Sequence, residues 1–353
     1  MSKSVPRRRA EPPARRRTRA TNGARTRAER FAGSRAPVVI GVLVILAGLG
    51  ALVTCVAEIG PAWLCGAGSV AIATSYSWAL AARTGGRPVV VGLLALGMGV
   101  AVVLIDDDAL RTGAAVLTCV VSAVLAVMAT VPAVRFLQTV REVVIAVVIA
   151  AIGALATIGF EPVVTVARFE YVTLGLAVVG AFGIVYRLGA GLHGLGRRGI
   201  VIVLIGSGLL ALTLLYAELL RRYGTPGLVE SLLDAVVWSR ANLGAFPRPL
   251  VFGLGIPALA WGVHMRARRR QGWWVCAFGV TATTRIANSL VNPSVTLRET
   301  GLSVLYGVVV GLVVGFIVIR LDVALTGQPG RRGRRTEEAG ALRPEPTRTR
   351  PLL

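Results

Sequence analysis

One arginine sits where a membrane would reject it. Arg285 lies inside the apolar run 272–292, with Thr281 before it and Asn288, Ser289 and Asn292 after it. On a helix this spacing places all five residues along one face. Counting inward from Gly272 at 1.5 Å per residue puts Arg285 roughly 20 Å deep, past the midplane of a bilayer. A charge at that depth costs at least about 2.5 kcal/mol on the insertion scale, so Arg285 is expected to face protein or a wet cavity. Its guanidinium fork suits a phosphate or carboxylate, and the amides of Asn288 and Asn292 would fix the ligand's orientation. The bland alternative is that Arg285 snorkels outward or pairs with a carboxylate to fix helix packing.

Eight acids fall at or near the same predicted side: Glu58, Asp106, Asp107, Asp108, Glu161, Glu170, Glu218 and Glu299. Glu218 precedes Arg221 and Arg222, and Glu299 follows Arg298. These two are expected to join Arg285, Asn288 and Asn292 around an outward-facing substrate pocket. The run Asp106, Asp107, Asp108 is a candidate metal site on an external turn. Three adjacent side chains cannot all point at one ion, however, and Asp108 alone suffices as the N-cap of the next helix. His193 and His264 are expected to be solvated and without partners. Cys55 and Cys65 flank the first external turn and could pair in an oxidising compartment, although two small buried hydrophobes are the commoner arrangement. There is no Walker loop, GxSxG, HExxH or dinucleotide fingerprint, and no CxxC or Cys/His cluster. No cofactor is evident.

The elements that must position these residues are membrane helices. Hydrophobic residues make up 54% of the 353-residue chain. They fall in blocks of about 18–24, the length that crosses the hydrocarbon layer as a helix. Period-two alternation of the kind a barrel needs is missing, and only helices then satisfy every backbone group in lipid. The expected fold is all-α: a polytopic bundle over residues 37–320, with about ten spans at 37–57, 62–82, 88–105, 109–131, 142–160, 169–187, 199–220, 249–265, 272–292 and 302–320.

The formal charge of +22 is a threading signal rather than a nucleic-acid footprint. Residues 1–36 carry eleven Arg, and every second loop after them is basic, whereas the alternate loops are close to neutral or acidic. By the positive-inside rule both termini are cytoplasmic and the protein is a multi-pass plasma-membrane protein. Residues 1–36 have almost no large apolar side chains, and both they and 321–353 read as disordered basic tails. No aromatic residue is interleaved with the arginines before Phe31, which favours lipid headgroups over nucleic acid as the tail's partner. Thirty-eight Arg against one Lys is the usage of a GC-rich bacterial genome.

Two further elements are legible. Thr225 and Pro226 read as an N-cap followed by Pro at the first helical position, and Gly244 as a stop. Between them, 226–243 forms an external amphipathic helix, either a lid or a static cap. Ser303, Gly307, Gly311 and Gly315 recur every four residues as a ridge of small side chains. Such a ridge makes a homo-oligomer seam or, more commonly, an internal helix contact. The sequence therefore points to a permease or lipid-handling protein that recognises an anionic small molecule or lipid headgroup. The alternatives are an envelope enzyme acting on a lipid-linked substrate and a non-catalytic membrane scaffold.

Overall fold

In the computed structural model every described element is helical. The structure describes residues 36–105, 107–188, 192–246, 248, 250–268, 271–292, 295–326 and 345–352. Asp106 and the predicted tails lie outside the described residues, apart from Ala36, 321–326 and 345–352. The chain falls into two units, 1–43 and 44–353. Of the first, only the opening turns of a helix are described, and the site and packing below belong to the second.

In chain order the helices are α1 (Ala36–Val56), α2 (Trp63–Arg83), α3 (Pro88–Leu104), α4 (Asp108–Met128), α5 (Phe136–Ile158), α6 (Val166–Arg187), α7 (Leu192–Tyr223) and α8 (Pro226–Leu243). A π-helical turn at Val251–Gly255 leads into α9 (Ile256–Arg266), followed by α10 (Gly272–Ala277), α11 (Val280–Val291) and α12 (Leu297–Thr326). Seven of them are long and apolar enough to cross a membrane: α1, α2, α4, α5, α6, α12 and the Gly199–Leu220 stretch of α7. This is a helical membrane protein.

The remaining three predicted spans differ from the expectation for identifiable reasons. The α3 helix is apolar but only 17 residues long. The predicted span 249–265 is broken because Pro257 has no N–H to continue the helical ladder, and the Ile256 N–H reaches back five residues to Val251 O. The predicted span 272–292 is split at Phe278 and Gly279 into α10 and α11. Seven rods, not ten, therefore have the length and composition of continuous spans.

The core is built largely from alanine, which lets helices approach closely. Ala115, Ala123, Ala146, Ala150, Ala177 and Ala181 of α4, α5 and α6 are buried there with Leu259, Ala282 and Ala287. Helix α11 packs against α4, α5 and α6. The ridge on α12 meets the π turn and α9: a Cβ on Gly311 would come within 2.6 Å of Ile256, and one on Gly307 within 2.9 Å of Val251. That is the internal use of such a ridge.

Helix α8 follows its sequence signals closely. Thr225 holds the N-cap position without a side-chain capping hydrogen bond, Pro226 opens the helix, and Gly244 closes it at φ +75°, which only glycine adopts without strain. Leu233, Val237 and Trp238 remain exposed.

Three expectations are corrected. Cys55 and Cys65 form a disulfide, because the tight turn between α1 and α2 brings their Cα atoms to 5.5 Å. Asp107, not Asp108, caps α4: its Oδ1 accepts from the Leu110 N–H at 2.8 Å, and Asp108 is the first helical residue. His264 is buried rather than solvated, since α9 is enclosed by its neighbours. The side chain of His193 lies outside the described residues.

Candidate functional site

Arg285 sits midway along α11, a helix buried on nearly every side because its small residues admit α4, α5 and α6. Its guanidinium turns toward the start of α6. Nη1 donates to Glu170 Oε2 at 2.6 Å, and the other carboxylate oxygen accepts from Arg248 Nη1 at 3.3 Å. One carboxylate thus serves two arginines. The structural alternative raised for Arg285 is realised, yet the pairing leaves one positive charge in excess. Arg285 Nε is buried and has no hydrogen-bond partner among the described residues. Burial lowers the pKa of Arg248 below its usual value, and Glu170 opposes that shift. The residual desolvation is the kind an incoming anion relieves.

These groups border a cavity of about 510 Å³. It lies between the start of α6, the C-terminal half of α7, α8, the segment 246–250, α11 and the start of α12. Arg240 of α8 pairs with Glu299 of α12 at 2.8 Å on its wall. Tyr171, Tyr216, Leu214, Leu220, Val236 and Leu250 supply the apolar lining. A side pit of about 10 Å³, room for one water, shares Arg248, Arg285, Ser289 and Ser303 with it. Counting charges, three guanidiniums meet two carboxylates. The frame around the cavity is held by α12: Ser303 Oγ donates to Phe246 O at 2.7 Å, and Tyr306 OH to Leu243 O at 2.8 Å.

Helix α7 lines one side of the cavity with Thr213, Leu214, Tyr216 and Leu220. Among the described side chains, none in its apolar stretch is buried, and Leu204, Ile205, Leu212 and Leu215 are among its most exposed. That side of the cavity is therefore carried by an exposed apolar helix with the length and composition to cross a membrane.

The sequence-predicted residues separate as follows. Arg285 and Glu299 line the cavity together, joined by Ser289 from the same stripe. Asn288 does not: it is fully buried toward α6, where its Oδ1 accepts from Thr173 Oγ1 at 3.2 Å. Asn292 ends α11 in extended conformation and is not part of the lining. Glu218 pairs along α7 with exposed Arg222 at 2.6 Å, also outside the lining. Asp107 and Asp108 lie at the α4 start, apart from this cavity. Among the described residues no group of three or more His, Cys, Asp or Glu is close enough to hold a metal.

Sequence reasoning did not find Arg240 and Arg248. The first is the basic residue in the last turn of the amphipathic helix, and the second stands just before the broken α9. Glu170 was one of eight acids with nothing local to select it. No known protein family, curated protein or solved structure matches the chain.

Proposed function

We propose that this multi-pass membrane protein binds the phosphate or carboxylate headgroup of an amphiphile in the cavity above Arg285. The reading rests on one observation: three guanidiniums set against two carboxylates, in a cavity lined on one side by an exposed apolar helix long enough to cross a membrane. A headgroup held there keeps its tails beside α7, which a water-soluble metabolite would not require. Glu170 holds the arginines in place, and the ligand supplies the remaining negative charge. In this reading the three short or broken segments complete ten crossings, with both termini cytoplasmic and the cavity outward. The disulfide at the α1–α2 turn supports that orientation, because such bonds persist on the oxidising side of a membrane. The described Asp107 is engaged as a helix cap and gives the enzymatic alternative no geometry of its own.

The test is native mass spectrometry of protein purified in gentle detergent. The wild type is expected to carry an anionic lipid, and Arg285→Ala combined with Arg248→Ala to lose at least about tenfold of it, the effect of ~1.4 kcal/mol in binding. Helicity and elution volume report whether the variant has folded. Equal lipid occupancy in a folded double variant overturns the proposal.

A further inference from the structure

The far end of the bundle holds a second arrangement of buried arginines. Arg83 ends α2 and is 3% exposed, and Arg266 ends α9 and is 2% exposed. Nearby, Glu142 lies in the second turn of α5 and is fully buried. From Glu142, α5 runs on to Ile158 at the turn preceding α6 and Glu170, about 24 Å at 1.5 Å per residue. The two arginine sites are therefore separate.

What covers this end is the chain's own C-terminal segment, Glu345–Leu352 (EPTRTRPL). Arg266 Nη2 donates to the Glu345 carboxylate at 2.5 Å while its other contacts go to Thr130. Arg83 Nη1 donates to Thr347 O at 2.7 Å and Arg350 O at 2.6 Å. Arg348 pairs with Glu142 at 2.6 Å, and the Leu352 N–H donates to Arg83 O at 2.8 Å.

This is how a receptor holds a peptide: main-chain carbonyls are captured by one arginine, and a carboxylate by another. The bundle's own groups do not saturate the site. Arg83 Nη2 and Arg266 Nε are buried with no hydrogen-bond partner among the described residues. Among the described residues, without the segment Glu142 keeps Arg141 and the Val131 N–H, Arg83 keeps Met128 O, and Arg266 keeps Thr130, the face of Trp273 and the Cys276 thiol. Two guanidiniums would then stand without a carboxylate, a state that draws in an anion. The segment is tethered through 327–344, a stretch mostly of Gly, Arg, Pro, Glu and Ala with a single Leu. A tether keeps such an occupant bound by raising its local concentration, so its intrinsic affinity can be modest.

We propose that Arg83 and Arg266 form a second anion site, and that Glu345–Leu352 is its displaceable intramolecular occupant, with Glu345 standing where a phosphate or carboxylate would bind. The proposal is independent of the cavity above Arg285.

The test uses the full chain with a protease site placed between 327 and 344, cut after purification so that folding is complete. Retention of the C-terminal fragment is followed by gel filtration and mass spectrometry, in inorganic phosphate against chloride at matched ionic strength. Nanodiscs of phosphatidylglycerol against phosphatidylcholine form the second arm. Release is expected to be about tenfold faster in phosphate or in the anionic nanodisc, a change equivalent to ~1.4 kcal/mol. The arm that responds says whether a free anion or a lipid headgroup competes. Glu345→Gln, which leaves the bundle untouched, is expected to release faster by a similar factor and to ignore both anions. Release indifferent to both anions, a fragment that never leaves, or a Glu345→Gln fragment that behaves as wild type overturns the proposal.

Discussion

Arg285 donates from Nη1 to Glu170 Oε2 at 2.6 Å, joining residues 115 apart in sequence. The contact ties the middle of α11 to the start of α6 and holds a guanidinium at the edge of the cavity. Because Arg248 shares the same carboxylate, Arg285→Ala does not leave Glu170 unpaired. Glu170→Gln does leave two arginines facing each other. The two substitutions are therefore expected to differ: Arg285→Ala should lose bound anionic lipid with a small stability change, whereas Glu170→Gln should destabilise more and retain lipid. A double-mutant cycle in detergent unfolding should give a coupling of about 1–3 kcal/mol. Lipid loss that is equal in both variants would show the pair to be structural alone.

Asn288 offers the opposite control. Its carboxamide oxygen accepts from Thr173, and its Nδ2 is buried with no hydrogen-bond partner among the described residues. Thr173 keeps the Phe169 carbonyl as acceptor at 2.7 Å. Asn288→Leu, which keeps the branched outline but adds bulk at a fully buried position, is expected to destabilise by no more than about 1–3 kcal/mol, because removing an unsatisfied buried amide offsets part of the overpacking. Lipid occupancy should stay at the wild-type level. A large drop would return Asn288 to the site from which its position on the α6 side excludes it.

How much of this was legible depends on the range of the physics. Apolar length is a local property, so α1, α2, α4 and the spanning stretch of α7 fall close to their predicted positions. The π turn had its cause in view, since Pro257 follows Gly253 and Gly255, but hydropathy averages over such breaks. Arg285 was found because a charge in an apolar run is costly whatever surrounds it. Its partner was not, because ion pairing between helices carries no spacing signal, and eight acids were equally eligible. The stripe argument correctly placed Asn288 on a polar face but could not tell a cavity from the neighbouring helix. The docking of Glu345–Leu352 left no local trace, because its hold comes partly from backbone carbonyls that any sequence would offer and partly from ion pairs with residues far away in the chain.

The ridge on α12 predicts a graded response to bulk. Gly311 faces Ile256 and Gly315 faces Ala260, whereas a Cβ on Gly183 of α6 meets nothing within 4 Å. Gly311→Leu is expected to part α12 from α9 and destabilise by about 1–3 kcal/mol or more, the usual consequence of overpacking. Gly183→Leu should be near neutral. Unfolding in mixed micelles measures both, and equal effects would mean that the ridge is not a packing device.

The disulfide supplies a test of threading that does not depend on any ligand. Cys55 and Cys65 are joined across the α1–α2 turn, while Cys119 and Cys276 are buried free thiols. A membrane-impermeant maleimide should therefore label nothing on intact cells until an impermeant reductant is added, and should then reach Cys55, which is half-buried near the turn. Cys119 and Cys276 should remain unmodified under both conditions, because each lies in the packed core. The same reagents applied to inverted vesicles should leave Cys55 and Cys65 untouched. Orientation also fixes the side on which the Arg285 cavity opens: α1 and α2 meet at this turn, and four crossings later α5 and α6 meet near Glu170, which places both turns on one side when each helix crosses once. Labelling confined to inverted vesicles would reverse the threading and put the arginine-rich cavity on the cytoplasmic face.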